Sequence, residues 1–410
     1  MESVKFMKRK RYHYSKIFRA IYTFLGFVYN EIIHKEDVIF IFLKRTRKRV
    51  KCPSCGRRNK LSKDFYKRIV RDLDIGPKDC YITFFENKLQ CKCGFRGYEE
   101  LDFVRPYSRC TIRFEEYVYM LCQKMALTDV CKVAKINWKT AREIDEYYTM
   151  QNLESLDNIY PQRIAIDEIA YQKGHNYLTI VRDLDLNKVI WVGLDRKEQT
   201  LDMFFEELGP KKQEHILLAV VDMWDPYIAS LTKYCPNTKI VYDKFHIIKI
   251  INRALDDVRK MEFAKTDGKQ RKEWKKKRFL ILRRNKNLTD KQRETLNELM
   301  KQNEILYQAY LLKEQISDIM DEDDVSTAIT RMEEWLKNVI MSGIGPFIKT
   351  AKILLRHLDG IVYYLKYRVT NAGSEGFNNK INIIKRRAYG YKDLGYFKLK
   401  IYQSCGVMKS

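Results

Sequence analysis

The period of the hydrophobic positions changes along the chain, and the changes mark elements. Arg163 to Gln172 is an apolar run ending in turn residues, which predicts a buried strand. Tyr177 to Arg182 and Lys188 to Gly193 predict a second and third strand, with Asn187 in the hairpin turn between them. From Thr200 to Leu208, Leu201, Phe204, Phe205 and Leu208 share one helical face. Ile216 to Val221 predicts a fourth buried strand. Pro226 to Tyr234 predicts a helix with Asp225 as its cap and Pro226 at its first position. Lys239 to Tyr242 begins a fifth strand. The order β-β-β-α-β-α-β, then helix, implies a mixed sheet covered by helices. Residues 249–345 are almost all helix formers.

The front of the chain is patterned differently. Short strand-like pieces, such as Tyr81 to Phe85, stand among paired cysteines in residues 51–105. Residues 106–155 predict helices: one near Arg113 to Met125, a short one from Asp129 to Ala134 capped by Thr128, and one from Trp138 to Tyr147 capped by Asn137. The last two, joined through Lys135-Ile136-Asn137, have helix-turn-helix spacing. Lys139, Thr140 and Arg142 would stand at the exposed start of the second helix, where base edges and phosphates are met. An ordinary helical pair has the same spacing. The expected organisation is multidomain. It comprises a basic region (1–50), a zinc-binding module (51–105), a helix-turn-helix (106–155), an α/β domain (160–250 and 346–400) and a helical stretch (251–345).

Charge narrows the class of partner. Seventy-eight Lys and Arg stand against 53 Asp and Glu, a formal net charge of +25, which calls for a polyanion. Basic clusters occur at residues 8–11 and 44–49. Lys265 to Arg284 carries ten basic residues and two acidic ones, an imbalance that favours a DNA-backbone surface over a solvated helix face. No stretch reaches ~18 uncharged apolar residues, so no membrane span is expected. The run Ile17 to Tyr29, broken by Arg19, fits an amphipathic helix on a basic arm better than a signal peptide.

Eight of the ten cysteines fall before residue 132, and their pairing favours metal over disulfides. Cys52-Pro53-Ser54-Cys55-Gly56 can grip one metal with two thiolates, and Cys91-Lys92-Cys93-Gly94 is the natural second pair. Four soft thiolates select one structural zinc. Cys80 is an alternative fourth ligand. Asp167, in Ile164-Ala165-Ile166-Asp167, and Asp222, after Leu217 to Val221, each follow a buried run. Such carboxylates are costly unless paired or metal-bound. Strand ends line the functional crevice of α/β sheets, and two acids there can bridge hard cations. Glu375, in Thr370-Asn371-Ala372-Gly373-Ser374-Glu375-Gly376, is placed to supply a third acid from a helix. That helix runs into Lys385-Arg386-Arg387, a basic stripe suited to a phosphate.

These residues resemble those of bacterial insertion-sequence transposases of the L3 family, of the DDE type. The resemblance covers most of the chain from about residue 30. It rests on Cys52 to Gly56, the surroundings of Asp167 and Asp222, Tyr242-Asp243-Lys244-Phe245-His246, Thr370 through Gly376 to Arg386, and Ala388-Tyr389-Gly390-Tyr391. It implies a ribonuclease H-like catalytic domain in which Asp167, Asp222 and Glu375 hold two Mg2+ (or Mn2+) ions. The helical stretch before Glu375 would then be an insertion. It also implies binding to terminal inverted repeats, cleavage and strand transfer on double-stranded DNA, a homo-oligomer on DNA, and a place in the bacterial cytoplasm with the nucleoid. Asp243 and His246 match a family motif; a satisfied polar pair is the other reading. A regulator that binds DNA without cutting it and a structure-specific nuclease are the alternative functions.

Overall fold

The computed structural model describes residues 23–265 and 277–409, with residues 173 and 175 excepted. The basic cluster at 8–11 and most of the run from 265 to 284 lie outside the described residues. The chain divides into two compact units, residues 1–148 and 149–410.

In the first unit, β1 (Phe27–Lys35), β2 (Val38–Arg45), β5 (Phe65–Ile75), β6 (Lys78–Gln90) and β7 (Arg96–Tyr98) form one sheet. Its order is β1-β2-β6-β5, with β7 also pairing with β6. β3 (Arg49–Lys51) and β4 (Arg58–Lys60) make a separate hairpin. Thus the latter part of the stretch read as a basic region is sheet. Phe27, Ile41, Ile82, Phe84 and Phe103 close one core. The two long strands also bury ion pairs, including Arg68 with Glu86 at 3.1 Å. Such charges disguise the strand alternation, which is why the sequence showed only short pieces here.

Three helices follow: α1 (Ile112–Lys124), α2 (Leu127–Ala134) and α3 (Trp138–Asn152). Phe114, Val118, Val130, Ala141 and Ile144 form their shared core. The short helix begins earlier than its sequence suggested: Ala126 takes the cap position and Thr128 is already helical. Asn137 does cap the third helix, its Oδ1 accepting from Thr140 N at 2.8 Å.

The second unit is built on β8 (Arg163–Gln172), β9 (Asn176–Asp183), β10 (Lys188–Leu194), β11 (Leu218–Val221) and β12 (Lys239–Tyr242). The order is β10-β9-β8-β11-β12. β10, β9 and β8 are antiparallel neighbours, whereas β11 runs parallel to both β8 and β12. Two connections carry helices, α4 (Glu198–Leu208) with the short α5 (Pro210–Gln213), and α6 (Asp225–Tyr234). Asp225 is the first helical residue and Trp224 the cap, one position before the cap read from the sequence.

After β12 the described chain is helical: α7 (Lys244–Ala264), α8 (Arg278–Leu282), α9 (Asp290–Lys301), α10 (Glu304–Ile319), α11 (Val325–Met341), α12 (Gly345–Arg356) and α13 (Leu358–Tyr367). These helices share a core with one face of the sheet, and fully buried Trp335 donates its indole N–H to Leu312 O at 2.8 Å. Two last helices, α14 (Ala372–Arg387) and α15 (Leu394–Cys405), cover the other face. There Ile381, Ile384, Phe397 and Ile401 pack on Ile169, Leu178, Ile180 and Val192.

Candidate functional site

Asp167 stands on β8 and Asp222 one residue past β11. The parallel register pairs Val220 with Ala165. Two residues further along each chain Asp222 comes level with Asp167, just past the carboxyl end of β11 and midway along the longer β8. Asp167 is held from two sides: Oδ1 accepts from Glu168 N at 2.8 Å and Oδ2 from Asn378 Nδ2 at 3.0 Å. Burial pushes its carboxyl above the ordinary range, the Glu168 amide pulls the other way, and the charge of Asp222 adds to the rise.

Asp222 Oδ1 lies 2.6 Å from His246 Nδ1, in the first turn of α7, and Asp243 Oδ2 lies 3.8 Å from the same nitrogen. Burial opposes a charge on His246, but these two carboxylates prevail and raise its pKa to about 9. The approach is a charge contact without hydrogen-bond alignment, so Asp222 Oδ1 remains a buried acceptor with no hydrogen bond.

Glu375 is exposed in the first turn of α14. Its helix is seated by Arg182, a nearly buried residue of β9. Arg182 Nη2 donates to Asn371 Oδ1 at 2.7 Å, and the guanidinium lies over the Phe377 ring at 4.8 Å. Gly373 makes room for it: a Cβ there would come 2.1 Å from Arg182 Nη1.

Asp167, Asp222 and Glu375 line one cleft of 810 Å³, together with Glu168, His246 and Asn378. Their oxygens do not all come within 4.8 Å of one another; among the described residues only a set of four cysteines does so. The donor set nevertheless fits a hard divalent cation. It offers carboxylate oxygens only, one of them buried without a hydrogen bond, and two acids whose mutual repulsion a cation would relieve. Glu168, on the same rim, is already paired with Arg196 at 3.1 Å.

Asn378 and Arg182 were not singled out from sequence. Asn378 was within reach, because it lies one helical turn after Glu375. Arg182 gave only the weaker signal of a cation inside an apolar strand. Lys385, Arg386 and Arg387 fall in the last turn of α14, away from the cleft-lining residues. Lys385 Nζ donates to Ala170 O at 3.0 Å, while Arg386 and Arg387 are exposed.

In the first unit, the sulfurs of Cys52, Cys55, Cys91 and Cys93 lie within 4.8 Å of one another. Cys52 and Cys93 are 3.7 Å apart, and Cys55 and Cys91 3.6 Å. Sulfurs at the corners of a tetrahedron around zinc, each about 2.3 Å from the metal, would be roughly 3.8 Å apart. The Cys93 backbone amide and neighbouring thiols bring the Cys91 thiol down to about 6. The Arg57 amide also favours ionised Cys55, yet burial and the other three thiols raise it to about 11. Cys80 belongs elsewhere: it is buried in the sheet core, and burial raises its thiol to about 12.

At the start of α3, Lys139 is 85% exposed and lies 3.8 Å from Glu143. Arg142 is less free: its Nε donates to Glu146 at 2.7 Å and its guanidinium lies 5.5 Å from the Trp138 ring centre. Thr140 is half-buried and spends its amide on the Asn137 cap.

Comparison with known proteins covers the same stretches. A family model described as a transposase matches residues 164–401. Another, described as the helix-turn-helix domain of transposase family ISL3, matches 99–149. A third, the zinc-finger of transposases IS204, IS1001, IS1096 and IS1165, matches 48–93. The transposase for insertion sequence element IS1001 of Bordetella parapertussis is 30% identical over 393 residues, which is 94% of this chain and 97% of that protein. The transposase for insertion sequence element IS1557 of Mycobacterium tuberculosis is 25% identical over 371 residues, 83% of this chain and 82% of that one.

Proposed function

The chain belongs to the ISL3 family of transposases, and we propose that it cuts and joins DNA at the ends of its insertion sequence, with Asp167, Asp222 and Glu375 as ligands of two divalent cations. One observation carries the assignment: Asp222, just past β11, comes level with Asp167 on the neighbouring parallel strand β8, and a helix brings a third acid to the same cleft. The sheet order β10-β9-β8-β11-β12 supports a ribonuclease H-like core. The helices from 244 to 367, between β12 and the helix of Glu375, support the reading of a helical insertion. The domain limits read from sequence, with the catalytic core at 160–250 and 346–400, are part of the proposal.

Bound Mg2+ would supply an activated water or 3′-hydroxyl and stabilise the leaving oxygen. The chain's own residues do the positioning. Asn378 and the Glu168 amide fix Asp167; His246 holds Asp222 by charge; Arg182 and Asn371 set the start of α14 and hence Glu375. Lys139, Thr140 and Arg142 face the terminal repeats, and Arg386 and Arg387 offer exposed charge to the backbone. Joining two ends calls for more than one copy on the DNA. The four-cysteine zinc ribbon serves structure. None of the described helices is long and apolar enough to cross a membrane, and the working place is the cytoplasm, on nucleoid DNA.

Purified protein incubated with Mg2+ and DNA carrying the ends that flank its own coding sequence tests the reading. Strand joining is the expected result. Nicking without joining would make it a nuclease, and binding without either a regulator.

A further inference from the structure

One carboxylate in the helical stretch gathers three cations, two of which line the acid-lined cleft. Asp321, just after α10, accepts from Lys244 Nζ, from Arg284 Nη1 and, at 2.9 Å, from Lys286 Nζ. The cations come from separate segments: Lys244 opens α7, whereas Arg284 and Lys286 precede α9. Arg284 also pairs with Asp318. Lys244 and Arg284 line the same cleft as Asp167, Asp222 and Glu375. Burial would raise the Asp321 carboxyl, yet the three cations hold it well below the ordinary range.

A structural tie between helices would need one such pair. Here Lys244, Arg284, Lys286 and Lys313 face Asp318, Asp321 and Glu314, and the cations' donors are not used up. Arg284 Nε is buried without an acceptor, and so is Arg368 Nη2, whose Nη1 donates to Met320 O at 2.9 Å. Both guanidinium groups flank the turn from Asp318 to Asp321 with a buried N–H that no protein acceptor satisfies. Leaving such a group unpaired is costly, so the arrangement suits a guest with more acceptor oxygens than one carboxylate. A phosphodiester fits, with two free oxygens, a full negative charge and geometry matched to a guanidinium fork.

We propose that Lys244, Arg284 and Lys286 form the seat of a DNA backbone phosphate at the lip of the cleft, and that Asp321 occupies this seat until DNA displaces it. The proposal rests on the DNA-joining reading of the cleft and adds a phosphate site outside the acid triad. Asp321 then has a second effect. As an internal competitor it lets go only when a strand lies along the lip, so DNA lodged elsewhere on the protein leaves the cations withdrawn. Side-chain exposure is 17% at Arg284, 27% at Lys244, 32% at Asp321 and 60% at Lys286, so the exchange begins at the lysines and reaches Arg284 last.

The test uses the full-length protein, a fluorescein-labelled duplex of arbitrary sequence, and affinity measured over a range of salt. Asp321→Asn keeps the shape and removes the competitor. It should tighten binding roughly fivefold at low salt, the equivalent of ~1 kcal/mol for a freed exposed pair. Lys286→Ala, and separately Arg284→Gln, should weaken binding to all sequences and lower the slope of log affinity against log salt by about 1. Binding by Asp321→Asn that is unchanged or weaker overturns the proposal and leaves Asp321 as a helix tie. Should Asp321→Asn lose its melting transition, the other two variants decide, and unaltered salt slopes in both would sink it. Joining of its own ends by the wild type is scored in parallel, so failure of the phosphate seat and failure of the functional reading are told apart.

Discussion

Asp222 stands between a repulsion and an attraction. Sequence displayed only the repulsion, since Asp167 and Asp222 both follow buried runs. His246, 2.6 Å away, is fixed by the fold: it enters on α7, and only the pairing of β11 with β12 brings that helix start to the acid. Asp222→Asn should therefore reduce cleavage and joining by orders of magnitude while DNA-end binding persists. It should also lower stability by about 1 kcal/mol, because the lost charge contact with His246 outweighs the relieved repulsion. Thermal melting and a joining assay on one preparation check both halves; full joining activity would mean the wrong carboxylate has been chosen. Asp225→Asn is the control. Asp225 is exposed in the first turn of α6, so losing its charge there should cost about 0.3–1 kcal/mol and spare the chemistry.

At the scale of elements, the five strands of the second unit were legible because they are apolar runs cut by turn residues. In the first unit only short pieces such as Tyr81 to Phe85, inside β6, were legible, because buried Arg68, Arg71, Asp72 and Glu86 interrupt the alternation. Among the caps, Asn137 was legible, whereas Ala126 and Trp224 carry no side-chain signal. The seat of α14 was invisible in sequence, since Arg182 and Asn371 are 189 residues apart. That seat gives a sharp prediction. Gly373→Ala forces Arg182 from its bond to Asn371, so it should cost about 1–3 kcal/mol and shift the start of the helix. Joining activity should fall more steeply than DNA binding; a variant joining at the wild-type rate would show that the seat does not set Glu375. On α3 the expected outcomes divide. Lys139→Ala, at an exposed lysine, should weaken binding to element ends by ~1–3 kcal/mol if it meets a base and weaken all DNA alike if it meets a phosphate. Arg142→Ala should also cost helix stability through Glu146 and Trp138. Binding curves for specific and random duplexes, with melting of each variant, separate these effects.

Across the whole molecule, the net charge of +25 announced a polyanion before any motif was read. The cysteine spacing announced a metal but left Cys80 as a rival to Cys93; three-dimensional placement removed the rival. The small core around the ribbon, Val50, Cys52, Leu89 and Cys91, cannot hold its three-residue strands without a cross-link. Freshly purified, reduced protein should carry about one zinc per chain. Chelation should expose residues ~45–65 and 88–98 to protease while the second unit stays resistant. Cys93→Ser should lose the metal and Cys80→Ser should keep it; the opposite outcome would reassign the site. What sequence could not give was adjacency: β8 lies beside β11, which follows it by more than forty residues, and the third acid arrives only with α14. That late arrival has a consequence for a chain being made. The ribbon and the helix-turn-helix leave the ribosome first and can fold while synthesis continues. Glu375 emerges only after the whole helical stretch. On the proposed reading, a growing chain can hold DNA near its own gene well before it can cut, and any product ending before residue 372 would block element ends without breaking them.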